Sequence, residues 1–259
     1  GHDPGVCCAY HAAEVLWLLG YPDQALCRSE DSLSLARGLS HPSTMSFALS
    51  FAAWFHQYRG ERQAVQALVD EGVTLATEQG FSGRRGQAPF LRGWLLVEDG
   101  HEQAGIAEMS KILATDRTRG WSGRWTAHYV TLLADAYRKS GQTIAGLRVV
   151  TEELDRVHIS GARSYHAAVH RVKGELLLTQ DAPDEQEAEA CFQNALKISR
   201  SQSAKSLELR AAMSMSRLWQ RQGKKAEAQR LLAEIYGWFT EGFDTADLKA
   251  AKALLDELV

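Results

Sequence analysis

The stretch RVKGELLLTQDAPDEQEAEACFQNALKIS, residues 171–199, decides the fold of this chain. Two apolar stripes with the spacing of an α-helix flank a polar break that contains Pro183, which cannot continue a helix. The second stripe carries Ala188 and Ala195, and small side chains are needed where two helices cross closely. The stretch therefore predicts two antiparallel helices joined by a surface loop.

The same pattern of helix, break and helix recurs along the chain. A small residue follows each break, at Ala25, Ala64, Gly105, Gly146, Ala188 and Ala228, and subtraction gives successive gaps of 39, 41, 41, 42 and 40 residues. Self-similarity at this spacing is typical of stacked helical pairs. We therefore predict an all-α fold, a right-handed α-solenoid superhelix of about six helix pairs. The expected single domain spans 1–259, with repeats at 5–41, 43–80, 87–119, 124–160, 164–202 and 204–240 and a capping helix at 244–258.

The breaks contain residues that end and start helices. Glycines suited to a left-handed helix end stand at Gly20, Gly60, Gly100, Gly141 and Gly223. In the fifth unit either Asp181 or Asp184 is available to cap the second helix. Asp244 is the expected N-cap of the capping helix, whose apolar stripe is Leu248, Ala251, Leu254 and Leu255.

Composition and charge exclude several classes of function. A net charge of −3 and a pI near 6.3 argue against nonspecific binding to nucleic acid or to an anionic membrane. No apolar run is long enough to span a bilayer, and the first residues lack the pattern of a signal peptide, so a cytoplasmic location is expected. Cys27 and Cys191 are expected to be reduced thiols on apolar helix faces. Cys7, Cys8 and His11 do not complete a metal site, and we expect no metal or cofactor.

Units four to six resemble tetratricopeptide repeats, whereas units one to three match the family pattern weakly. The resemblance lies in LLADAYRKSGQ, residues 132–142, and in the stretch quoted above. Five residues fall on the family's small and aromatic positions: Gly174, Leu177, Ala188, Phe192 and Ala195. In the first unit, Ser29 and Ser32 replace the residues usual in the family, and the period is longer than the family's. The resemblance implies that the first helix of each pair lines a concave face.

Several segments also resemble the C-terminal repeat region of large bacterial signalling ATPases. They include GHDPGVCC at residues 1–8, AAWFHQ at 52–57 and YGWFTEGFDTADLKAAKALLDEL at 236–258. In those proteins a nucleotide-binding module precedes the repeats, often with a cyclase or DNA-binding domain. Since this chain opens with Gly1 and contains no G-x-x-x-x-G-K phosphate loop, we interpret it as a fragment whose ATPase module lies upstream.

The concave face that the resemblance implies supplies the candidate ligand-binding residues. They are Tyr10, Glu14, Trp17, His56, Phe90, Trp94, Glu98, His128, Asp135, Arg138, Arg171, Glu175, Arg210 and Arg217. The first half of this set is largely aromatic and the second half is charged. Such a surface suits either a peptide with acidic groups or a polar small molecule. The alternative is structural: the charged side chains pair between neighbouring helices, and Trp17 packs between units.

Other clusters of polar residues are weaker candidates. His166 and His170 share one helix face but lack the Glu of a His-Glu-x-x-His hydrolase motif. Basic residues accompany two tryptophans between helices and are read as solvated loop ends: Arg84, Arg85, Arg117, Arg119, Trp121, Arg124 and Trp125.

The expected function is a noncatalytic sensor and scaffold that binds a protein or peptide segment, for which the upstream ATPase or cyclase module is one candidate. The alternatives are a receptor for a small-molecule effector and, less favoured, a hydrolase with its site in the groove. Neither nucleic acid nor a membrane is an expected partner. A second copy of the chain is a further candidate, with residues 11–19 as the pairing surface.

Overall fold

In the computed structural model of this chain, residues 1–81, 87–118, 124–160 and 165–259 are described. These residues form thirteen α-helices and contain no β-strand. In chain order the helices are α1 (Pro4–Leu19), α2 (Pro22–Gly38), α3 (Pro42–Arg59), α4 (Arg62–Glu78), α5 (Gln87–Glu98), α6 (Glu102–Thr118), α7 (Arg124–Lys139), α8 (Thr143–Ser160), α9 (His166–Leu177), α10 (Glu185–Ser201), α11 (Lys205–Arg221), α12 (Lys225–Tyr236) and α13 (Ala246–Leu258).

Consecutive helices pack as pairs, from α1 with α2 to α11 with α12, and α13 packs on the last pair. The predicted all-α array of helix pairs is therefore confirmed. Five breaks within pairs carry glycines with positive φ: Gly20 (93°), Gly60 (75°), Gly100 (83°), Gly141 (72°) and Gly223 (78°). Because glycine adopts this left-handed conformation without steric cost, the first helix of each of these pairs ends there.

The recurring small residues lie where helices approach most closely. A Cβ built on Gly105 would stand 2.4 Å from the carbonyl oxygen of Gly93, and one on Gly174 would stand 2.5 Å from the Phe192 ring. Ala188 and Ala195 are fully buried. A larger side chain at these positions would overpack the joint, which is the physical reason for the period. Ala64 departs from the pattern because it is only half-buried.

The first helices of the pairs, α1, α3, α5, α7, α9 and α11, form an inner layer, and we call them the inner helices. Each inner helix contacts the next, and α11 also contacts α1. The array therefore curves until its last pair returns to its first. This closure is the main feature that the sequence did not predict. The handedness of the superhelix stays a prediction.

Two helix caps were predicted from the sequence. The structure corrects the one at the last helix and decides between two candidates at the fifth break. Leu248, Ala251 and Leu254 of α13 are buried as predicted. Its N-cap is Thr245 rather than Asp244, whose carboxylate instead lies 3.6 Å from the guanidinium of Arg59. At the fifth break, Asp184 is the residue that caps α10, since its Oδ1 accepts a hydrogen bond of 2.9 Å from the backbone N–H of Glu187.

The thiols differ in burial. Cys191 is buried, as predicted, but the expectation that Cys27 is a core thiol is wrong because the α2 face that carries it is exposed. Within the described ranges, no helix combines the length and the apolar character needed to cross a membrane.

Candidate functional site

An aromatic cluster fills the centre of the array, and we call it the axial cluster: Trp17, Trp54, Tyr58, His128 and Tyr165. Trp17 stacks on Tyr58 with ring centroids 4.7 Å apart, and Tyr58 lies 4.8 Å from the ring of His128. The hydroxyls of Tyr58 and Tyr165 are 2.8 Å apart. These side chains come from α1, α3, α7 and the residue before α9, so the inner face of the array is a packed core at this level.

The aromatic half of the predicted ligand surface lies inside this core. The structure buries Tyr10, Glu14, Trp17, Phe90, Trp94 and His128. We expected these side chains to face an open groove, but the structure buries them. The reason is curvature: because α1 meets α11 and the axial cluster joins α3 to α7, their inner faces contact one another rather than solvent.

Glu14 connects the first and fifth helix pairs. Its Oε1 accepts a hydrogen bond of 2.9 Å from the hydroxyl of Tyr165, and its Oε2 lies 3.5 Å from Nδ1 of His11. Burial raises the pKa of Tyr165 well above its usual value, and the nearby Tyr58 and Glu14 raise it further. Tyr165 therefore stays protonated and able to donate this bond.

His128 is neutral inside the axial cluster. Burial lowers its pKa to about 3, with a further contribution from the positive charge of Arg210. Its Nε2 lies 3.1 Å from Oε1 of Gln57. Since an amide oxygen only accepts, Nε2 carries the proton and donates this bond.

His56 lies apart from the axial cluster, at the break between α3 and α4. Its Nδ1 is 2.5 Å from Oε2 of Glu61, and the imidazole is half-buried. Burial acts to raise the pKa of Glu61, but hydrogen bonds from His56 and Arg59 together with their charges leave that pKa below its usual value. His56 thus belongs to an ion-paired turn.

Five charged residues of the predicted surface form, together with Lys139, a half-exposed row across three inner helices. We call it the charged stripe: Glu98, Asp135, Arg138, Lys139, Arg171 and Glu175. Most of these side chains are between a fifth and a third exposed. The row follows the C-terminal halves of α5, α7 and α9, and Ser214 extends it to α11.

Ion pairs run through the charged stripe without interruption. Lys139 of α7 reaches Glu98 of α5 at 2.5 Å, and Arg138 contacts Asp135 at 2.7 Å. Arg138 also lies 3.8 Å from Glu175 of α9.

Glu175 is the point where the stripe passes from α9 to α11. It accepts a hydrogen bond of 2.7 Å from Arg171 and another of 2.7 Å from the hydroxyl of Ser214. The stripe is thus held in one geometry by contacts within and between helices.

The surroundings of Asp135 and Lys139 favour the charged form of each. Burial acts to raise the pKa of Asp135, but Arg138 and Lys139 outweigh it and lower that pKa. For Lys139, burial acts to lower the pKa, while the hydrogen bond to Glu98 and the charge of Asp135 leave it raised. The charged side chains of the stripe are therefore held by ion pairs, some of them between neighbouring helices, which is the structural alternative named in the sequence analysis.

The last two predicted residues have different surroundings. Arg210 donates to the backbone oxygen of Tyr58 at 2.7 Å and to Asp247 at 2.7 Å, and its guanidinium lies 4.9 Å from the ring of Trp17. It is therefore used in closing the array. Arg217 is exposed and lies about one turn beyond Ser214, the α11 residue that contacts Glu175.

Sequence reasoning missed Arg59 and Glu241. Arg59 is only 3% exposed, and its guanidinium donates to the backbone oxygen of Pro22 at 3.1 Å. Glu241 accepts hydrogen bonds from the backbone N–H groups of Asp23 and Gln24 at 2.9 and 3.1 Å. No local pattern could have found them, because Glu241 and the residues it binds are more than 200 positions apart.

Of the weaker candidate clusters, the pair His166 and His170 lies within the described residues. The rings of His166 and His170 lie 5.3 Å apart, and in the part of the chain that the structure describes no three His, Cys, Asp or Glu side chains are grouped to hold a metal ion. The basic and aromatic set at 84–85, 117–121 and 124–125 falls on residues or side chains outside the described ones.

Comparison with known proteins shows no family for this chain. No family model matches the chain, and no curated protein matches it in sequence. Among solved structures the chain is similar to the TPR2AB-domain:pHSP90-complex of yeast Sti1, with 12% identity, a TM-score of 0.39 and coverage of 98% of each chain. Because a TM-score of 0.39 is low, we assign the fold from the helices of this chain and not from its similarity to that structure.

Proposed function

We propose that this protein is a noncatalytic interaction scaffold that binds an acidic peptide segment along the charged stripe. The supporting observation is the arrangement of Arg138 and Arg171 on successive inner helices, half-exposed and held by Asp135 and Glu175. Guanidinium groups that are already oriented recognise carboxylates with little loss of side-chain entropy.

The local charge favours an acidic partner. The stripe carries three carboxylates and three cations, so its members sum to zero, and the neighbouring Arg217 leaves the surface with one positive charge. The chain as a whole has a net charge of −3, whereas the stripe together with Arg217 sums to +1. Paired ions on a half-exposed surface suit recognition and selectivity of a partner.

The setting that we propose is the regulatory repeat region of a larger signalling ATPase or transcription regulator, as the sequence resemblance implies. In that setting a bound segment would act on an upstream switch only if it bound two states of the assembly with different affinity. The upstream module is itself a candidate source of the acidic segment.

Binding to the stripe can be tested with an array of short, fluorescently labelled acidic peptides and measured by fluorescence anisotropy. The variant Arg217→Glu reverses the exposed charge, and Arg171→Gln removes one fixed guanidinium. Each is expected to weaken binding by about tenfold or more, and binding should weaken as salt is added. Arg230→Gln, on the exposed face of α12, is the control. Absence of acidic binders, or equal loss in the control, would contradict the proposal.

A further inference from the structure

The segment between α12 and α13, residues 237–245, carries two exposed aromatic rings, and we call it the terminal loop. Trp238 is 37% exposed and Phe243 is 49% exposed. Among the side chains that the structure describes, no other aromatic ring is exposed to this extent. Two such rings in one short segment mark a part of the surface where apolar area remains in contact with water.

Each exposed ring has a half-buried tyrosine beside it. The ring centroids of Tyr21 and Trp238 are 5.5 Å apart, and those of Tyr236 and Phe243 are 6.0 Å apart. We call these four side chains the aromatic patch. Tyr21 lies at the break between α1 and α2, so the patch extends from the last helix pair onto the first. Clustered aromatic side chains with polar neighbours are typical of surfaces that bind a partner.

The terminal loop is held in place by hydrogen bonds to the start of α2. Glu241 accepts hydrogen bonds of 2.9 and 3.1 Å from the backbone N–H groups of Asp23 and Gln24. In return, Oδ2 of Asp23 accepts a hydrogen bond of 3.0 Å from the N–H of Gly242. Because these bonds position the loop before any partner arrives, binding to it costs little loop-ordering entropy.

The accessible charge beside the aromatic patch is negative. The side chain of Asp23 is 53% exposed and that of Asp244 is 70% exposed. The nearby cations are less accessible, since Arg59 is buried and Lys205 is ion-paired with Glu208 at 2.8 Å. Exposed carboxylates next to aromatic rings complement a basic partner.

The patch already contains one contact between a cation and an aromatic ring. Nζ of Lys205 lies 5.5 Å from the centroid of the Trp238 ring. The quadrupole of an aromatic ring attracts such a cation to its face. Phe243 is next to Asp244 in the chain, so an arriving guanidinium can stack on the ring and pair with the carboxylate.

We propose that the aromatic patch, together with Asp23 and Asp244, is a docking surface for a basic, arginine-containing segment of a partner protein. Arginine fits because its planar guanidinium both stacks on rings and forms forked hydrogen bonds with carboxylates. This surface shares no residue with the charged stripe. It is therefore a second surface with the opposite charge preference, and binding at either surface can fail without the other.

The test uses labelled peptides of equal length in which the charged positions are Arg, Gln or Glu, with fluorescence anisotropy as the measurement. The Arg peptide should bind at least about tenfold more tightly than the Gln peptide, and its binding should weaken as salt is added. Phe243→Ala and Asp244→Asn should each weaken binding of the Arg peptide by at least about threefold. Neither variant should change binding of the Glu peptide, for which the charged stripe is the proposed site.

The control variants are Ile144→Ala and Asp181→Asn. They remove an exposed apolar side chain and an exposed carboxylate at the breaks of the fourth and fifth pairs. Each should change binding of the Arg peptide by less than about twofold. Hydrogen exchange then locates the bound peptide, since the amides of 237–245 should exchange at least about twofold more slowly in its presence.

Several results would overturn the docking surface: equal affinity for the Arg and Gln peptides, equal losses in the control variants, or slowed exchange confined to other segments. A dimer in sedimentation that Phe243→Ala dissociates would show that a second copy of the chain occupies the patch, and the basic partner would then be wrong. If Phe243→Ala lowers helicity, Asp244→Asn decides, because asparagine removes the charge and keeps a side-chain oxygen near Arg59.

Discussion

Gly174 and Gly72 lie inside helices with opposite surroundings. A Cβ on Gly174 would meet the Phe192 ring at 2.5 Å, while one on Gly72 would meet only Leu49 at 3.9 Å. We expect Gly174→Ala to lower the free energy of unfolding by about 1–3 kcal/mol because it overpacks the crossing of α9 and α10. Gly72→Ala should raise it by about 0.5–1 kcal/mol through helix propensity. Denaturant titration measures both, and equal effects would contradict the close crossing.

His128 should make stability depend on pH. Its pKa of about 3 in the folded protein lies below the ordinary value of 6.5. Between these values the unfolded chain binds a proton that the folded chain does not, so stability is full above about pH 6.5 and falls as the pH decreases. His128→Gln should remove a slope of about 1.4 kcal/mol per pH unit.

Chemical denaturation at about pH 6 and about pH 5 gives this slope, since most carboxyl groups titrate lower. The control variant is His101→Gln, which removes an imidazole that is exposed instead of buried. Parallel slopes for wild type and His128→Gln would show that His128 is not buried as described.

The sequence predicted which residues pack between helices better than it predicted which residues are exposed to solvent. Ala188 and Ala195 could be placed at a helix crossing because the spacing of small residues alone indicates a close contact between helices, and both are buried. Trp17 and His128 were placed on the correct inner face, but whether that face meets solvent depends on helices far along the chain. The alternative that Trp17 packs between units was the better description.

At the scale of helices, the fifth break provides a sharp comparison. Asp184 accepts the N–H of Glu187 and caps α10, while Asp181 is exposed in the preceding loop. Asp184→Ala should lower the unfolding free energy by about 1 kcal/mol, because an N–H at the helix start loses its acceptor. Asp181→Ala should change it by less than about 0.5 kcal/mol. Thermal and denaturant unfolding distinguish the two; an equal loss would place the cap elsewhere.

Helix positions were predictable because helix ends carry local signals. Glycines at the breaks and the period near forty residues located the pairs. The N-cap of α13 was assigned wrongly to Asp244, since Asp and Thr stand side by side and both suit an N-cap. What distinguishes them is Arg59, which lies near Asp244 in space and 185 positions away by subtraction.

At the scale of the whole molecule, closure is the feature that sequence reasoning could not reach. Curvature is the sum of small angles between successive pairs, and each angle depends on side chains at several crossings. The contacts that result, such as Ser206 with Trp17, carry no sequence signal of their own. The charged stripe was easier to predict, because its ions lie on adjacent helices of the repeat.

The contact between Glu14 and Tyr165, 151 positions apart, tests this closure most directly. A double-mutant cycle with Glu14→Gln and Tyr165→Phe, measured by denaturant unfolding, should give a coupling energy of about 1–3 kcal/mol, because Tyr165→Phe removes the donor and Glu14→Gln replaces the charged acceptor with a neutral amide. Glu14→Gln combined with Tyr137→Phe should be additive within about 0.5 kcal/mol. Additivity in the first pair as well would contradict an array whose inner helices close around a shared core.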